Sequence, residues 1–403
     1  MSSTIAAEAV ARAFAETARL GERSDAAFVG RVFRPDLGGP SVVRIAGGRV
    51  VDVTGAFATV SELCENDDPA SALRRAEGDD IGSLAELLGN TPPDDRNASR
   101  PHFIAPVDLQ ALKAAGVTFV VSMLERVIEE RIRGDANAAG GVRQQILDLV
   151  GSDIRNLKPG STEAAALKVA LIEAGAWSQY LEVGIGPDAE IFTKGQPLSA
   201  VGSGSDIGVH PGSTWNNPEP EIVLAVSSKG RIVGASLGND VNLRDVEGRS
   251  ALLLGKAKDN NGAAAIGPFL RLFDDGFTLD DVRRTELSLV IDGPEGYRLD
   301  GRSSMSQISR DPAEIVGQAV NDHHLYPDGL VLFLGTMFAP IQDRDDPGRG
   351  FTHKTGDVVT IRTEALGALV NRVKPTDEVE GWTMGVAALM RNLAKRGLLG
   401  ASR

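Results

Sequence analysis

The chain has 403 residues, of which 42% are hydrophobic and 24% are charged, so it carries enough apolar material for a buried core. Its length predicts two domains, or one large catalytic domain with an N-terminal addition. The formal net charge is −13, from 55 acidic and 42 basic residues, which disfavours binding to nucleic acid or to anionic membranes. An anionic substrate would therefore have to be held by a local cluster of positive charge.

Three features of the sequence indicate a cytoplasmic protein. No apolar run approaches the roughly 20 residues of a membrane-spanning helix. The N-terminus contains Glu8 and lacks the basic start and apolar stretch of a secretory signal. The single cysteine, Cys64, cannot form an internal disulfide, which is typical of a reducing compartment.

The first hundred residues predict a smaller α+β domain with a structural or oligomer-contact role. We expect a helix over 4–20, strands over 27–33 and 41–53, and a helix near 81–89. Gly21 ends the first helix, and Gly47-Gly48 forms the turn of a hairpin. Residues 65–101 are rich in Asp, Pro, Gly and Asn, so we divide the chain into residues 1–101 and residues 102–403.

From Leu109 onwards the pattern becomes β-rich. A strand-like segment over 116–119 leads into a helix, on which Arg126 with Glu130 and Glu129 with Arg133 have the spacing of surface ion pairs. The other predicted elements are helices over 161–175 and 382–396 and strands over 221–226, 231–237, 286–292, 329–334 and 357–363. Because strands and helices do not alternate regularly, we predict an α+β fold and not a doubly wound sheet.

Three acidic residues are placed to meet at one end of a predicted hairpin. Glu219 and Glu221 lie two residues apart at the start of a strand, so their side chains point to the same face. After a turn at 227–230, antiparallel pairing puts Asp240 opposite Glu219, with Cβ atoms about 5 Å apart. Three carboxylates this close repel one another unless a cation or protons intervene.

Oxygen ligands without a nearby cysteine favour Mg²⁺, with Mn²⁺ or Ca²⁺ as substitutes, over zinc. The alternative is that the three acids are solvated charges at strand ends, as is common in an acidic protein.

Basic residues follow the hairpin closely. Arg244 and Lys258 stand beside Asp245 and Asp259, which suggests ordinary ion pairs. Lys256 or Lys258 could instead act as a base, because a lysine near a metal ion can have a lowered pKa. The pair His323-His324 is interpreted as part of a surface loop, since adjacent side chains point apart and no HExxH motif is present.

At these positions the sequence resembles the fumarylacetoacetate hydrolase superfamily. The metal motif of that family, Glu-x-Glu followed by Asn-Asp-x-x-x-Arg-Asp, matches residues 219–221 and 239–245. Further matches, in the family's order, are Phe-x-Lys at 192–194, the lysine at Lys256, Ile-Gly-Pro at 266–268, Gly335-Thr336 and Gly-Asp at 356–357. The resemblance implies a fumarylacetoacetase-like β-sandwich or roll over residues 102–403, with Glu219, Glu221 and Asp240 as ligands of Mg²⁺.

One departure from the family pattern concerns the reaction. Hydrolases of the family carry His-x-x-Glu on a helix, and this pair activates the attacking water. Here Glu125 is retained but Ser122 replaces the histidine, and a serine hydroxyl without a base cannot deprotonate water at neutral pH. The chain as a whole resembles the family's 2-keto-3-deoxy-pentonate dehydratases. This implies β-elimination of the C4 hydroxyl of 2-keto-3-deoxy-D-xylonate through an enolate, giving 2,5-dioxopentanoate in non-phosphorylative pentose oxidation.

The same resemblance implies roles for individual residues. Lys256 is the expected C3 base or enolate stabiliser, Glu125 the acid/base near C4, and Ser122 a group that orients the substrate hydroxyls. Glu125 also has a simpler interpretation, because an acid near a helix start is favoured by the helix dipole. The expected substrate-binding residues are Gly335, Thr336, Lys258, Lys194 and Arg244.

The resemblance further implies a homodimer or a dimer of dimers. Two other functions stay open at this point. One is a hydrolase of a 2,4-diketo-3-deoxy sugar acid that uses Glu125 without a histidine. The other is a metal-stabilised binding or scaffolding protein that has lost catalysis.

Overall fold

The computed structural model of the chain describes residues 2–133, 157–173, 175–345 and 349–400. Its helices are α1 (Ser2–Gly21), α2 (Val60–Cys64), α3 (Pro69–Arg75), α4 (Leu84–Gly89), α5 (Val120–Arg131), α6 (Thr162–Glu173), α7 (Gln179–Ile185), α8 (Arg244–Glu247), α9 (Leu254–Lys258), α10 (Leu279–Arg283), α11 (Pro312–Ala319) and α12 (Val386–Lys395). Among these described helices, none has both the length and the hydrophobicity needed to cross a bilayer.

The described residues also form strands. They are β1 (Phe28–Arg34), β2 (Gly39–Ala46), β3 (Arg49–Asp52), β4 (Asp79–Ser83), β5 (His102–Ile104), β6 (Ala111–Ala115), β7 (Ile191–Gly195), β8 (Asp206–Val209), β9 (Pro220–Val226), β10 (Ile232–Asp240), β11 (Ala264–Leu272), β12 (Glu286–Asp292), β13 (Arg298–Ser304), β14 (Leu330–Phe333), β15 (Val358–Thr363) and β16 (Gly367–Pro375).

These strands form two sheets. The larger has the order β4-β3-β2-β1-β11-β10-β9-β14-β6-β7, with β5 also paired to β1, and the smaller has the order β13-β12-β15-β16-β8. Neighbouring strands are antiparallel except for the parallel pairs β14–β6 and β16–β8. The structure therefore combines helices with two mixed sheets of strands, and the predicted α+β class is confirmed.

The largest apolar core lies between the two sheets. Ile222 and Leu224 of β9 and Leu237 of β10 meet Leu289 of β12 and Ile361 of β15 there. All five side chains are buried, so the core holds β9 and β10 from one side.

A second core covers the opposite face of the larger sheet. Val223 and Ala225 of β9 pack there with Leu63 of α2 and Leu73 of α3. Alternate side chains of β9 are therefore packed in two different cores, which fixes the position of this strand.

The N-terminal strands extend the larger sheet. Phe28 and Val29 of β1 pair with Arg271 and Leu270 of β11, and β2, β3 and β4 continue outwards from β1. The division at residue 101 falls between β4 and β5 and stays a prediction.

Several predicted boundaries change in the structure. The hairpin with Gly47-Gly48 is confirmed by the pairing of Ala46 with Arg49. The strand predicted over 116–119 is wrong, because β6 ends at Ala115 and Phe119 is already the N-cap residue of α5. The helix near 81–89 begins only at Leu84, after a capping box at Ser83, and the last helix begins at Val386 instead of residue 382.

Candidate active site

Glu219, Glu221 and Asp240 meet at one end of the β9–β10 hairpin. Gly238 pairs with Glu221, and the amide of Asp240 donates to the carbonyl of Glu219 at 3.0 Å, which is the predicted register. One carboxylate oxygen from each residue lies within 4.8 Å of the others. Each residue is only 1% exposed, so the interpretation as solvated strand-end charges is wrong.

Glu221 is oriented by the chain that follows β14. The amide of Gly335 donates to its Oε2 at 2.8 Å, and the hydroxyl of Thr336 donates to its Oε1 at 3.4 Å. Gly335 has φ +102°, and a Cβ there would lie 2.0 Å from Oγ1 of Thr118, so the close approach requires glycine. The amide of Gly335, a residue expected to bind the substrate, is thus already engaged with Glu221.

Two buried lysines hold the other two carboxylates. Lys194 lies 2.7 Å from Oδ1 of Asp240, and Lys258 bridges Oε2 of Glu219 at 2.5 Å and Oδ2 of Asp240 at 3.1 Å. Burial would raise the pKa of Asp240, but the two lysines hold it below its ordinary value. Lys194 and Lys258, which were both expected to bind the substrate, therefore belong to the cluster.

Lys256, the lysine expected to be the C3 base, is not in the cluster. Its side chain is exposed, whereas Lys258 on the same short helix is buried. Residues two apart on a helix point to nearly opposite sides, so α9 can direct only one of the two lysines towards the carboxylates. The predicted role of Lys256 conflicts with this placement, and Lys258 is the lysine at the site.

The three carboxylates fit a hard divalent cation. Burial and the nearby Asp240 raise the pKa of Glu221 well above its ordinary value, which reflects an excess of negative charge that a cation would relieve. Buried polar atoms without a hydrogen-bond partner among the described residues lie on the adjoining chain, including Nδ2 of Asn239 and both amide atoms of Asn242. Neither Asn239 nor Asn242 lines the cavity beside the carboxylates, so the fit to a cation rests on the three carboxylates themselves.

A narrow cavity adjoins the cluster. Ser122, Arg126, Glu190, Lys258 and Thr336 line it, together with Glu219 and Asp240. The hydroxyl of Ser122 donates to the carbonyl of Phe119 at 2.9 Å, which leaves its oxygen free to accept. Ser122 and Thr336 therefore lie beside the carboxylates, and their roles towards the substrate stay predictions.

Glu190 is a cavity residue that the sequence analysis missed. Its carboxylate lies over Gly116, where a Cβ would come within 1.8 Å of its Oε2. Burial, reinforced by Glu247, raises the pKa of Glu190 to about 7. The strand period of two could have indicated it. Glu190 precedes β7 directly and lies two positions before Phe192 and four before Lys194, so the three side chains point to the same face.

Arg126 also lies in the cluster and not on the surface. Its guanidinium contacts Oε1 of Glu219, Oε2 of Glu129 at 2.7 Å and Oε2 of Glu247 at 3.2 Å. Arg126 is 5% exposed and Glu129 is fully buried. The predicted surface pairs of α5 are therefore wrong, because this face of the helix turns towards the carboxylates.

Arg244, the first residue of α8, pairs with Glu125 and Glu129 of α5. Arg244 Nε donates to Oε1 of Glu129 at 2.7 Å, and Nη2 lies 3.3 Å from Oε2 of Glu125. The guanidinium stacks 4.1 Å from the ring of Trp215. Neither Arg244 nor Glu125 is among the residues that line the cavity. Glu125 also lies beyond the first turn of α5, so the helix-dipole interpretation is not supported.

The other expected features lie outside the site. His323 and His324 are exposed in a turn, as predicted. Asp245 accepts hydrogen bonds from Ser213 and from the amide of Thr214, and not from Arg244.

Comparisons with known proteins bear on the same segment. A family model described as fumarylacetoacetate (FAA) hydrolase C-terminal matches residues 171–374. A probable 2-keto-3-deoxyxylonate dehydratase of Haloferax volcanii is 32% identical over 201 residues, which is 50% of this chain and 65% of that protein. A 2-dehydro-3-deoxy-D-arabinonate dehydratase of Saccharolobus solfataricus is 31% identical over 188 residues, 46% of this chain and 58% of that protein. The chain thus matches less than two thirds of each relative's length.

A solved structure has the same fold. The structure described as 2-keto-3-deoxy-D-arabinonate dehydratase complexed with magnesium and 2,5-dioxopentanoate superposes with a TM-score of 0.57 and 21% identity, covering 86% of this chain and 99% of that one. The match confirms the predicted fumarylacetoacetase-like fold.

Proposed function

Because this chain belongs to the fumarylacetoacetate hydrolase family, we propose that it is a Mg²⁺-dependent dehydratase of a 2-keto-3-deoxy sugar acid. The preferred substrate is 2-keto-3-deoxy-D-xylonate, and the product is 2,5-dioxopentanoate. The observation that carries the proposal is the buried cluster of three carboxylates with Lys258 and Glu190 beside it. The names of both curated relatives support the same reaction.

Glu219, Glu221 and Asp240 would hold the cation. The magnesium in the dehydratase structure of the same fold supports the choice of Mg²⁺. When bound, Mg²⁺ supplies a Lewis acid that polarises the keto group of the substrate and makes the C3 proton more acidic.

Glu190 is the residue we assign to proton transfer. A carboxyl with a pKa of about 7 holds and releases a proton near neutral pH, as general acid–base catalysis requires. Its carboxylate removes a proton from C3, the C3–C4 double bond forms, and the C4–O bond breaks. The departing hydroxide takes the proton back from Glu190 and leaves as water, and the unsaturated product tautomerises to the semialdehyde.

Lys258 is better suited to charge stabilisation than to proton removal. Its ammonium group donates to Glu219 and Asp240 while its side chain lines the cavity. A fixed positive charge stabilises negative charge that develops on the substrate oxygens. Ser122 and Thr336 would orient the substrate through their hydroxyl groups.

The alternative, a hydrolase that uses Glu125, is disfavoured by the geometry. Glu125 is held by Arg244 and is not among the residues that line the cavity. A scaffolding role does not account for Glu190, a carboxyl with a near-neutral pKa that lines the cavity beside Lys258.

A product assay tests the proposal. Protein stripped with EDTA receives 2-keto-3-deoxy-D-xylonate with or without Mg²⁺, and α-ketoglutarate semialdehyde dehydrogenase converts the product with formation of NADH. NADH that depends on both Mg²⁺ and this protein is expected. Absence of NADH, with pyruvate released from a 2,4-diketo analogue, would replace the dehydratase by the hydrolase.

A further inference from the structure

Gly116 lies against Glu190, at the point where β6 leads into the turn before α5. A Cβ at this position would lie 1.8 Å from Oε2 and 2.6 Å from Cδ of Glu190. The amide of Gly116 also donates to the carbonyl of Glu190 at 3.1 Å. Both residues line the cavity beside the carboxylate cluster. Gly116 is therefore close to the backbone and to the side chain of the residue that we assign to proton transfer.

The backbone conformation does not explain why residue 116 is a glycine. Gly116 does not have a positive φ, so its backbone is compatible with an alanine. The next residue, Val117, has φ +48°, which is rare for a β-branched side chain and common for glycine. The chain thus has its glycine one position before the strained residue. What glycine provides at position 116 is space, and the carboxylate of Glu190 occupies that space.

Hydrogen bonds hold the turn that contains Gly116. The hydroxyl of Thr118 donates to the carbonyl of Leu334 at 2.6 Å. The carbonyl of Thr118 accepts from the amide of Ser309 at 2.8 Å. Because the backbone is tied down next to residue 116, a methyl group added there would displace the side chain of Glu190 before it displaced the turn.

The carboxylate of Glu190 can make this movement. Among the residues that the structure describes, no hydrogen bond or ion pair holds it. Its Oε2 would have to move from 1.8 Å to at least 3.0 Å from the new Cβ, since shorter contacts essentially do not occur. A displacement of about 1 Å in a reacting group can reduce turnover by about 100-fold.

We propose that Gly116 is the positioning residue for Glu190, because its lack of a side chain lets the carboxylate lie over the turn at the wall of the cavity. This inference rests on the proposed function, in which Glu190 removes the C3 proton. The smallest added side chain moves the carboxylate away from that position. The cation ligands, which lie on β9 and β10, stay where they are.

Steady-state kinetics of Gly116→Ala with 2-keto-3-deoxy-D-xylonate and Mg²⁺ tests the proposal. We expect kcat to fall by about 100-fold. KM and Mg²⁺ affinity should stay close to those of the wild type, because other residues bind the substrate and the cation. A kcat equal to that of the wild type would overturn the proposal.

Gly39→Ala on β2 is the matched control. Its Cβ would lie 2.3 Å from Cγ of Asn392, so it introduces a comparable steric clash with the end of a side chain. Neither Gly39 nor Asn392 lines the cavity, and kcat should be unchanged. An equal fall in kcat in this control would show that overpacking alone reduces turnover, and would overturn the proposal.

A double-mutant cycle identifies the group through which Gly116 acts. Adding Gly116→Ala to Glu190→Gln should cause little further loss of kcat, because the carboxylate that the methyl group displaces is already gone. Losses that multiply would mean that Gly116 acts through another residue, and would overturn the proposal.

Crystal structures of the wild type and of Gly116→Ala, both with Mg²⁺, separate this inference from the dehydratase reaction. Oε2 of Glu190 should lie at least about 1 Å from its wild-type position, whatever the substrate is. A carboxylate that stays in place would overturn the proposal even if turnover falls. Wild-type protein without turnover, combined with a displaced carboxylate in the variant, would reject the dehydratase reaction and support the positioning of Glu190 by Gly116.

Discussion

The β9–β10 hairpin and helix α5 both present charged side chains to one cavity, yet the sequence predicts only the hairpin correctly. The hairpin geometry follows from a strand period of two and a short turn, which are local properties. The environment of α5 depends on Glu219, 93 positions from Arg126, and on Arg244, 115 positions from Glu129. The i,i+4 spacing of opposite charges is the same for an exposed and for a buried face, so spacing alone misplaces the helix.

The substitution Asp240→Asn is the strongest test of cation binding by the β9–β10 hairpin. We expect Mg²⁺ affinity to fall by about 100-fold or more and turnover to fall further. The reason is that asparagine replaces one of the three negatively charged groups that would bind the cation with a neutral amide. Calorimetry and the product assay measure the two effects. Asp259→Asn, an exposed change nearby, is the control, and equal Mg²⁺ affinity in the two variants would argue against the cation site.

Glu190→Gln separates proton transfer from cation binding. Turnover should fall by roughly 10²–10⁴-fold, the usual contribution of a general acid–base group, while Mg²⁺ affinity stays close to that of the wild type. Since the carboxylate form is the base, wild-type kcat/KM should decline about tenfold per pH unit below about 7, the raised pKa of this group. The residual activity of Glu190→Gln should lack that decline. If the decline persists, another group titrates.

A pair of lysine variants tests the assignment on α9. Lys258→Met should reduce kcat by about 10²-fold or more, because the substrate loses a fixed positive charge. Lys256→Met should stay within about twofold of the wild type, as is usual for an exposed side chain. The reverse ranking would restore the role that the motif match gives to Lys256.

The burial of the charged residues on α5 is tested by the free energy of unfolding. Arg126→Met leaves Glu129 and Glu247 buried with one cation fewer, and we expect a loss of about 3–5 kcal/mol in the free energy of unfolding. Arg284→Met, in an exposed pair, should change it by less than about 1 kcal/mol. Urea denaturation compares the two variants, and similar losses would mean that Arg126 is solvated.

The sequence predicts the fold best where patterns are local. The strand over 286–292 matches β12, and the hairpin register at Asp240 is correct. The sequence does not predict strand β13. This strand lies at the edge of the smaller sheet, and its mostly polar residues lack the alternation of apolar and polar side chains that marks a strand. The pairing of β1 with β11 was not predicted, since it joins residues far apart in the chain. Glu190 was missed for a related reason, because its partners lie on other elements.

Pyruvate, the smallest 2-keto acid, provides the most direct test of the central claim that the three carboxylates hold a 2-keto acid through a divalent cation. Its binding can be measured by calorimetry on EDTA-stripped protein before and after addition of Mg²⁺. The structure predicts binding only with Mg²⁺, and no binding to Asp240→Asn under either condition. Pyruvate that binds equally well without Mg²⁺, or to Asp240→Asn, would contradict this assignment of the site.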